Sequence, residues 1–292
     1  MLATLLCALL QAAPPPPNAL GFADHLLDTG DNYRAIGEYK RYLFDNPEGN
    51  LRDEAELKIG IAYLRGERYA EAALFFDLLA QKAADPARRA LCLFGESDAR
   101  YLEGEYGVAA NGFSRLGADE AASAAVRSRA RYLAGWAALL SHDAAGAREA
   151  FQAAGGDARF GLKARQAFAD VRDESALPHR SPALAGVLSA VVPGAGYLYL
   201  GQPGIAAAAF AWNGLFGVGV ADAAIHHLWG VTAVLAVFEA MWYGGAIFGS
   251  VSGAHKYNRD AWLNYVDGLK ASHDWTAEAA DDPLSVVDEK GP

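Results

Sequence analysis

Residues 181–254 form a stretch of 74 residues with only two formal charges, Asp222 and Glu239. A water-soluble domain of that size needs a charged face toward solvent, and this stretch offers none. Its two longer apolar runs, 204–220 and 229–251, are each long enough to reach across a hydrocarbon layer ~30 Å thick. The chain therefore divides into a water-facing region, a membrane-embedded region and a short acidic tail. The expected fold is all-α, with a helical-repeat region followed by a transmembrane helical hairpin.

Charge limits the partners. The chain carries 25 Lys and Arg against 35 Asp and Glu, and no segment shows the basic stripe of a nucleic-acid binder. The tail beyond Asp260 is acidic and would be repelled by anionic lipid. Two cysteines exist, Cys7 and Cys92. Cys7 lies in a targeting-type segment, so Cys92 is left alone and reads as a buried thiol in a helix.

Residues 2–10 are apolar and are followed by Gln11, Ala12, Ala13 and the prolines Pro14 to Pro17. This is the pattern of a secretory signal over 1–13 and a stiff spacer over 14–21. No basic residue precedes the apolar core, and Pro14 would hinder a cut after Ala13. The alternative is a cytoplasmic N-terminus.

Region 22–172 repeats itself. Ala35, Ala72, Ala109 and Ala147 recur at 37- or 38-residue steps, each followed four residues later by Tyr39, Phe76, Phe113 or Phe151. Three residues further stand Tyr42, Leu79, Leu116 and Ala154. Offsets of four and seven put each trio on one helix face. Turn signals precede each alanine: Gly30-Asp31-Asn32, Gly66-Glu67-Arg68, Gly104-Glu105 and His142-Asp143.

A helix pair per unit, with a small residue at the crossing and an aromatic in the groove, resembles the tetratricopeptide repeat. Gly60, Tyr63, Tyr69, Ala72 and Phe76 carry the likeness in the second unit, and Gly104, Tyr106, Ala109 and Phe113 in the third. The resemblance implies about four helix pairs plus a capping helix, and capture of a protein or peptide partner on the face made by the first helix of each pair. Projected onto this chain, that groove would comprise Leu57, Ile61, Leu64, Arg65, Phe94, Asp98, Tyr101, Arg129, Tyr132 and Trp136. For each, inter-repeat packing is the competing role.

After a linker at 173–181, the membrane domain occupies 182–254. Its first apolar segment stops at Pro193-Gly194-Ala195-Gly196, before Tyr199 and Gly201. Ten residues of helix reach ~15 Å, half a bilayer. The segment 183–200 is therefore either re-entrant or part of a kinked span. Runs 204–221 and 229–251, joined by a polar turn, form a hairpin. Its many glycines, including Gly214, Gly217, Gly219, Gly244, Gly245 and Gly249, favour close helix approach or a homo-oligomer. The pattern Pro193, Gly194, Gly196, Tyr199, Gly201 resembles small two-span membrane domains marked by Pro-Gly-x-Gly-x-x-Tyr-x-x-Gly, which implies architecture and no chemistry.

Glu239 stands at the middle of its run, where a carboxylate costs several kcal/mol. Asn213 stands at the middle of the preceding run, so the two are expected to meet. A protonated Glu239 would pin the hairpin through Asn213, or the pair would relay a proton or ligand. Residues 255–270 form an amphipathic stretch expected on the membrane surface, and 271–292 an acidic tail. Basic flanks argue for an even number of crossings with both ends cytoplasmic, whereas a signal sequence argues for an exported repeat region. The reading adopted from sequence is an inner-membrane, multi-pass protein with its repeats exported.

No nucleophile setting, phosphate loop or helical ligand pair occurs, so no enzymatic activity, cofactor or metal is expected. The leading expectation is a membrane-anchored scaffold that holds a protein partner at the bilayer. The competing one is a component of a transport or envelope-biogenesis complex in which the hairpin is the active part.

Overall fold

The computed structural model describes residues 19–273. The expected signal at 1–13, most of the spacer and the tail from Asp274 lie outside them. All regular structure among the described residues is helical: α1 Gly21–Asp28, α2 Asn32–Asp45, α3 Arg52–Arg65, α4 Tyr69–Lys82, α5 Pro86–Glu103, α6 Tyr106–Ala118, α7 Ala124–Leu140, α8 Ala144–Ala154, α9 Gly161–Asp170, α10 Pro182–Val191, α11 Ala195–Tyr199, α12 Pro203–Ile225 and α13 Trp229–Ser272. One short 3₁₀ turn spans Glu174–Ala176. Contacts divide the described residues into a repeat unit, 19–171 with 269–273, and an apolar unit, Arg172–Gly268.

The repeat unit is built from four helix pairs followed by α9. One turn joins every pair. Gly30, Glu67, Gly104 and His142 all have positive φ, 81°, 56°, 91° and 64°. The next amide donates five residues back: Asp31 to Leu26 O, Arg68 to Tyr63 O, Glu105 to Arg100 O and Asp143 to Ala138 O. This is the 6→1 bond of a left-handed helix end, which satisfies carbonyls the helix would otherwise orphan. Asp31 and Asp143 then cap the following helices, accepting from Arg34 N and Gly146 N.

Packing explains the period. Ala35, Ala72, Ala109 and Ala147 are fully buried, as are Tyr39, Phe76, Phe113 and Phe151. Phe76 and Phe151 seat on glycines of neighbouring helices. A Cβ at Gly60 or Gly95 would overlap the ring of Phe76, and one at Gly135 the ring of Phe151. Ala23, Gly60, Ser97 and Gly135 each lie 16 residues before their aromatic. That series of small residues repeats at the same steps as the alanines, although its identity varies.

In the apolar unit α12 and α13 are long and apolar enough to cross a membrane, and only 11% and 6% of their most apolar windows are buried. A core helix of a soluble protein would be covered. Here Phe210, Leu215, Val218, Val234, Val237, Met241 and Phe248 are all exposed. The last apolar run and the amphipathic stretch after it are one 44-residue helix. Within that stretch Trp262, Val266 and Leu269 are buried.

Candidate functional site: the helix break and the apolar hairpin

The break after α10 begins with sterics. Val192, which precedes Pro193, is extended at φ −134° and ψ 116°, as a residue before proline is pushed to be. Gly194 follows at φ +90°, with the backbone of Ala206 where its side chain would stand. Any Cβ at Gly196 would overlap the Ala185 carbonyl, and the Gly196 amide donates to Ser189 Oγ over 3.1 Å. Gly201, at φ +75°, ends α11 with the turn used in the repeats, Gln202 N–H donating to Tyr197 O.

The five residues of the motif thus let α11 fold back along α10. Tyr199 Oη accepts from Ser181 N over 3.1 Å, so the end of the element returns to its start. The middle of α13 closes the knot. Ser250 Oγ donates to Ala185 O (3.1 Å), and Tyr243 Oη to Ala190 O (2.7 Å). Val251 stands where a Gly186 side chain would go, and Leu200 does so at Gly253. At the mouth of the knot the Asn258 amide grips the Arg180 peptide from both sides, at 2.8 and 2.9 Å.

Aromatic rings meet across the hairpin. Trp212 lies against Trp242 at 6.1 Å between ring centres, and Phe216 stacks on Phe238 at 6.4 Å. Nothing stands within 4 Å of a Cβ built on Gly214, Gly217, Gly244 or Gly245. Those four therefore face away from the helix contact, contrary to expectation, whereas Gly219 lies against Leu235 and Gly249 against Tyr197.

The same register separates the expected polar pair. It puts Asn213 level with Met241 and Glu239 level with Leu215, about 3 Å out of step. Asn213 Nδ2 turns to its own helix and donates to Ala209 O over 2.6 Å. Asn213 Oδ1 and Glu239 Oε2 are both buried without a hydrogen-bond partner, and no hydrogen bond joins the two residues. The expected pin between Glu239 and Asn213 is absent because aromatic stacking, not equal depth in each run, fixes the register.

The ten residues projected onto a partner groove are nearly all core. Leu57, Ile61, Leu64, Phe94, Asp98, Tyr101, Arg129, Tyr132 and Trp136 are buried, and Arg65 alone is exposed, 3.9 Å from Asp28. First helices of successive pairs touch one another, α3 with α5 and α5 with α7, which consumes that face. Tyr132 stacks on Phe160 at 5.0 Å, Trp136 packs edge-on to Phe151, and the Arg129 guanidinium sits over Phe94.

Open surface in this unit lies between α5 and α6, where a cavity of about 300 Å³ is lined by Leu93, Glu96, Arg100, Val108, Asn111 and Arg115 among others. Burial and the nearby Asp77 raise the Glu96 pKa, against the pull of Arg100. Val108 stands 56% exposed in its lining, and Leu74 and Leu78 add apolar surface on α4. Sequence reasoning missed this groove because Val108 and Arg115 fall outside the alanine–aromatic phase.

Elsewhere the charges of this unit are structural. Lys58 is half-buried; burial would lower its pKa, but bonds to Asp24 (2.8 Å) and Glu54 (2.7 Å) outweigh that and raise it. Burial pushes the Cys92 thiol up to about 11, which makes it unreactive. Comparison with known proteins finds no match: no family model fits the chain, and no curated protein or solved structure resembles it.

Proposed function

We propose that the chain is a non-catalytic scaffold: tetratricopeptide-like helix pairs that capture a protein or peptide partner, anchored in an inner membrane by α12 and α13. The observation that carries this reading is the contrast between two exposed apolar helices and four charge-covered helix pairs with a common turn. The α5–α6 groove is the partner surface, since the first-helix face is filled. Its apolar lip beside Glu96, Arg100 and Arg115 suits an extended peptide with an apolar side chain flanked by charge. Photo-crosslinkers at Val108 and at buried Tyr132 test it in the full-length protein. Capture of one partner from Val108, lost in Arg115→Glu, supports the reading; equal or no capture from both sites sinks it.

The return of α11 to Ser181 favours a re-entrant element and two crossings. The last turn of α13 and His273 rejoin the repeat unit, where His273 Nε2 is 3.0 Å from Asp170. Both features favour one side of the bilayer for the repeats and the tail. The basic flanks Arg172, Arg180, Lys256 and Arg259 favour the cytoplasmic side. Export of the repeats is the competing orientation, and protease access to a tag after Pro292 in sealed vesicles separates the two.

A second reading makes the hairpin the active part of a transport or envelope-biogenesis complex. The buried, unpartnered oxygens of Asn213 and Glu239 are what favour it. Glu239→Gln keeps the shape but cannot ionise. Lost activity with intact folding supports this reading, and full activity removes it.

A further inference from the structure

We propose that Arg180 is a binding site for the phosphate of an anionic phospholipid headgroup. The inference rests on the membrane reading above. Five arginines of the repeat unit face carboxylates: Arg34 with Asp31, Arg41 with Glu38, Arg68 with Glu71, Arg100 with Glu105 and Arg131 with Asp157. Arg180 does not. Its guanidinium carbon lies 5.0 Å from the ring centre of Tyr199 and 5.5 Å from that of Tyr257. No ion pair or side-chain hydrogen bond of Arg180 occurs among the described residues, and the side chain is half-buried.

The clamp is built rather than incidental. Asn258 holds the Arg180 backbone, and Tyr199 is fixed by the Ser181 amide on its hydroxyl. Rings beneath a guanidinium hold it in place while leaving its planar fork of N–H donors unused. A phosphate accepts such a fork in two parallel charge-assisted bonds.

Location selects the source of the phosphate. Arg180 stands two residues before the apolar helix α10, and Tyr257 just past the apolar part of α13, so the clamp sits where hydrocarbon gives way to headgroups. His179, His255 and Lys256, next to Arg180 or Tyr257 in the chain, are exposed basic side chains, and Asp260 is engaged by Arg259 at 3.4 Å. At the opposite end of the hairpin, the turn from Asp222 to Leu228 has no Lys or Arg.

The test uses the full chain in phosphatidylcholine nanodiscs with added phosphatidylglycerol, followed by native mass spectrometry of the lipids that stay bound. Wild type is expected to retain phosphatidylglycerol over phosphatidylcholine. Arg180→Gln should cut that preference about tenfold, and Tyr257→Leu should cut it in the same direction, with helicity unchanged. Arg180→Lys, which keeps charge without the fork, should fall between. Lys256→Gln should stay within about twofold of wild type. Wild-type preference in both Arg180→Gln and Tyr257→Leu overturns the proposal, as does an equal loss in Lys256→Gln, which marks diffuse charge. Displacement of the lipid by millimolar inorganic phosphate also overturns it, by assigning the site to free phosphate. A chain that stays monodisperse without detergent defeats the membrane reading instead, a separate result.

Discussion

The glycines at the helix crossings of the repeats and those at the break of the apolar unit do different work. In the repeats glycine makes room for a side chain: Gly60 and Gly95 flank the ring of Phe76, and Gly135 receives Phe151. At the break of the apolar unit it makes room for backbone, Gly194 against Ala206 and Gly196 against the Ala185 carbonyl, whereas Gly186 and Gly253 of the same unit receive the side chains of Val251 and Leu200. On the membrane reading, the difference follows from the solvent. In water, burying a large ring drives helices together. In lipid that drive is missing, and close approach of backbones with hydrogen bonds between helices replaces it. The helix end ignores the difference. Gly104 in the repeats, and Gly201 and His227 in the apolar unit, make the same left-handed turn, because orphan carbonyls are costly in either medium.

The largest expected effect breaks the backbone contact. Gly196→Val drives two methyl groups toward the Ala185 carbonyl and Ser250, and should cost more than about 3 kcal/mol. The check is a thermal melt in detergent, with yield of folded protein; a near-wild-type melt would show that the α10–α11 knot is looser than described.

Phe76→Ala, which empties a seat made by two glycines, should cost about 3–5 kcal/mol. Its melt should shift the repeat unit, leaving lipid retention at Arg180 unchanged. A shift in both would mean that the units do not fold independently.

Alkaline titration should produce a smaller, graded loss in the repeats. Cys92 has its pKa raised from 9.0 to about 11 by burial, and Tyr39 and Tyr101 are raised above their usual 10.0, also chiefly by burial. A neutral acid whose folded pKa is raised stabilises fully below its unfolded value and loses that contribution as pH climbs. Denaturant midpoints should therefore fall from about pH 9 upward, and Cys92→Ala should flatten the first part of that fall. A flat profile to pH 11 would show these groups to be solvated.

Smallest is the turn. Glu67 bears a left-handed φ of 56° that a side chain disfavours, so Glu67→Gly should stabilise by roughly 0.5–1 kcal/mol. Gly104→Ala should reverse the sign. Identical responses would mean that the turns are not equivalent.

Much of this was legible in the sequence. The 37- and 38-residue steps of alanine and aromatic mark the four buried crossings, and the near absence of charge over 181–254 marks the exposed apolar helices. What escaped has physical causes. In the second turn the left-handed residue is Glu67, not Gly66, because position within the helix end matters more than residue type. Ser97 hides the small-residue series that Gly60 and Gly135 announce. Periodicity identifies a helix face but cannot say whether another helix covers it, so Tyr132 and Trp136 were indistinguishable from groove residues. Likewise, run centres cannot reveal that Trp212–Trp242 stacking sets Asn213 and Glu239 out of step.

The unbroken length of α13 has a mechanical meaning. Its 44 residues make a rod of about 66 Å with no proline, beginning at the hairpin tip and ending among residues of the repeat unit. Without a proline it lacks the commonest cause of a sharp kink. On the membrane reading, a bilayer thicker or thinner than the apolar run Trp229–Val251 would be met by tilt of that run, which makes bilayer thickness a variable to control in any experiment on it.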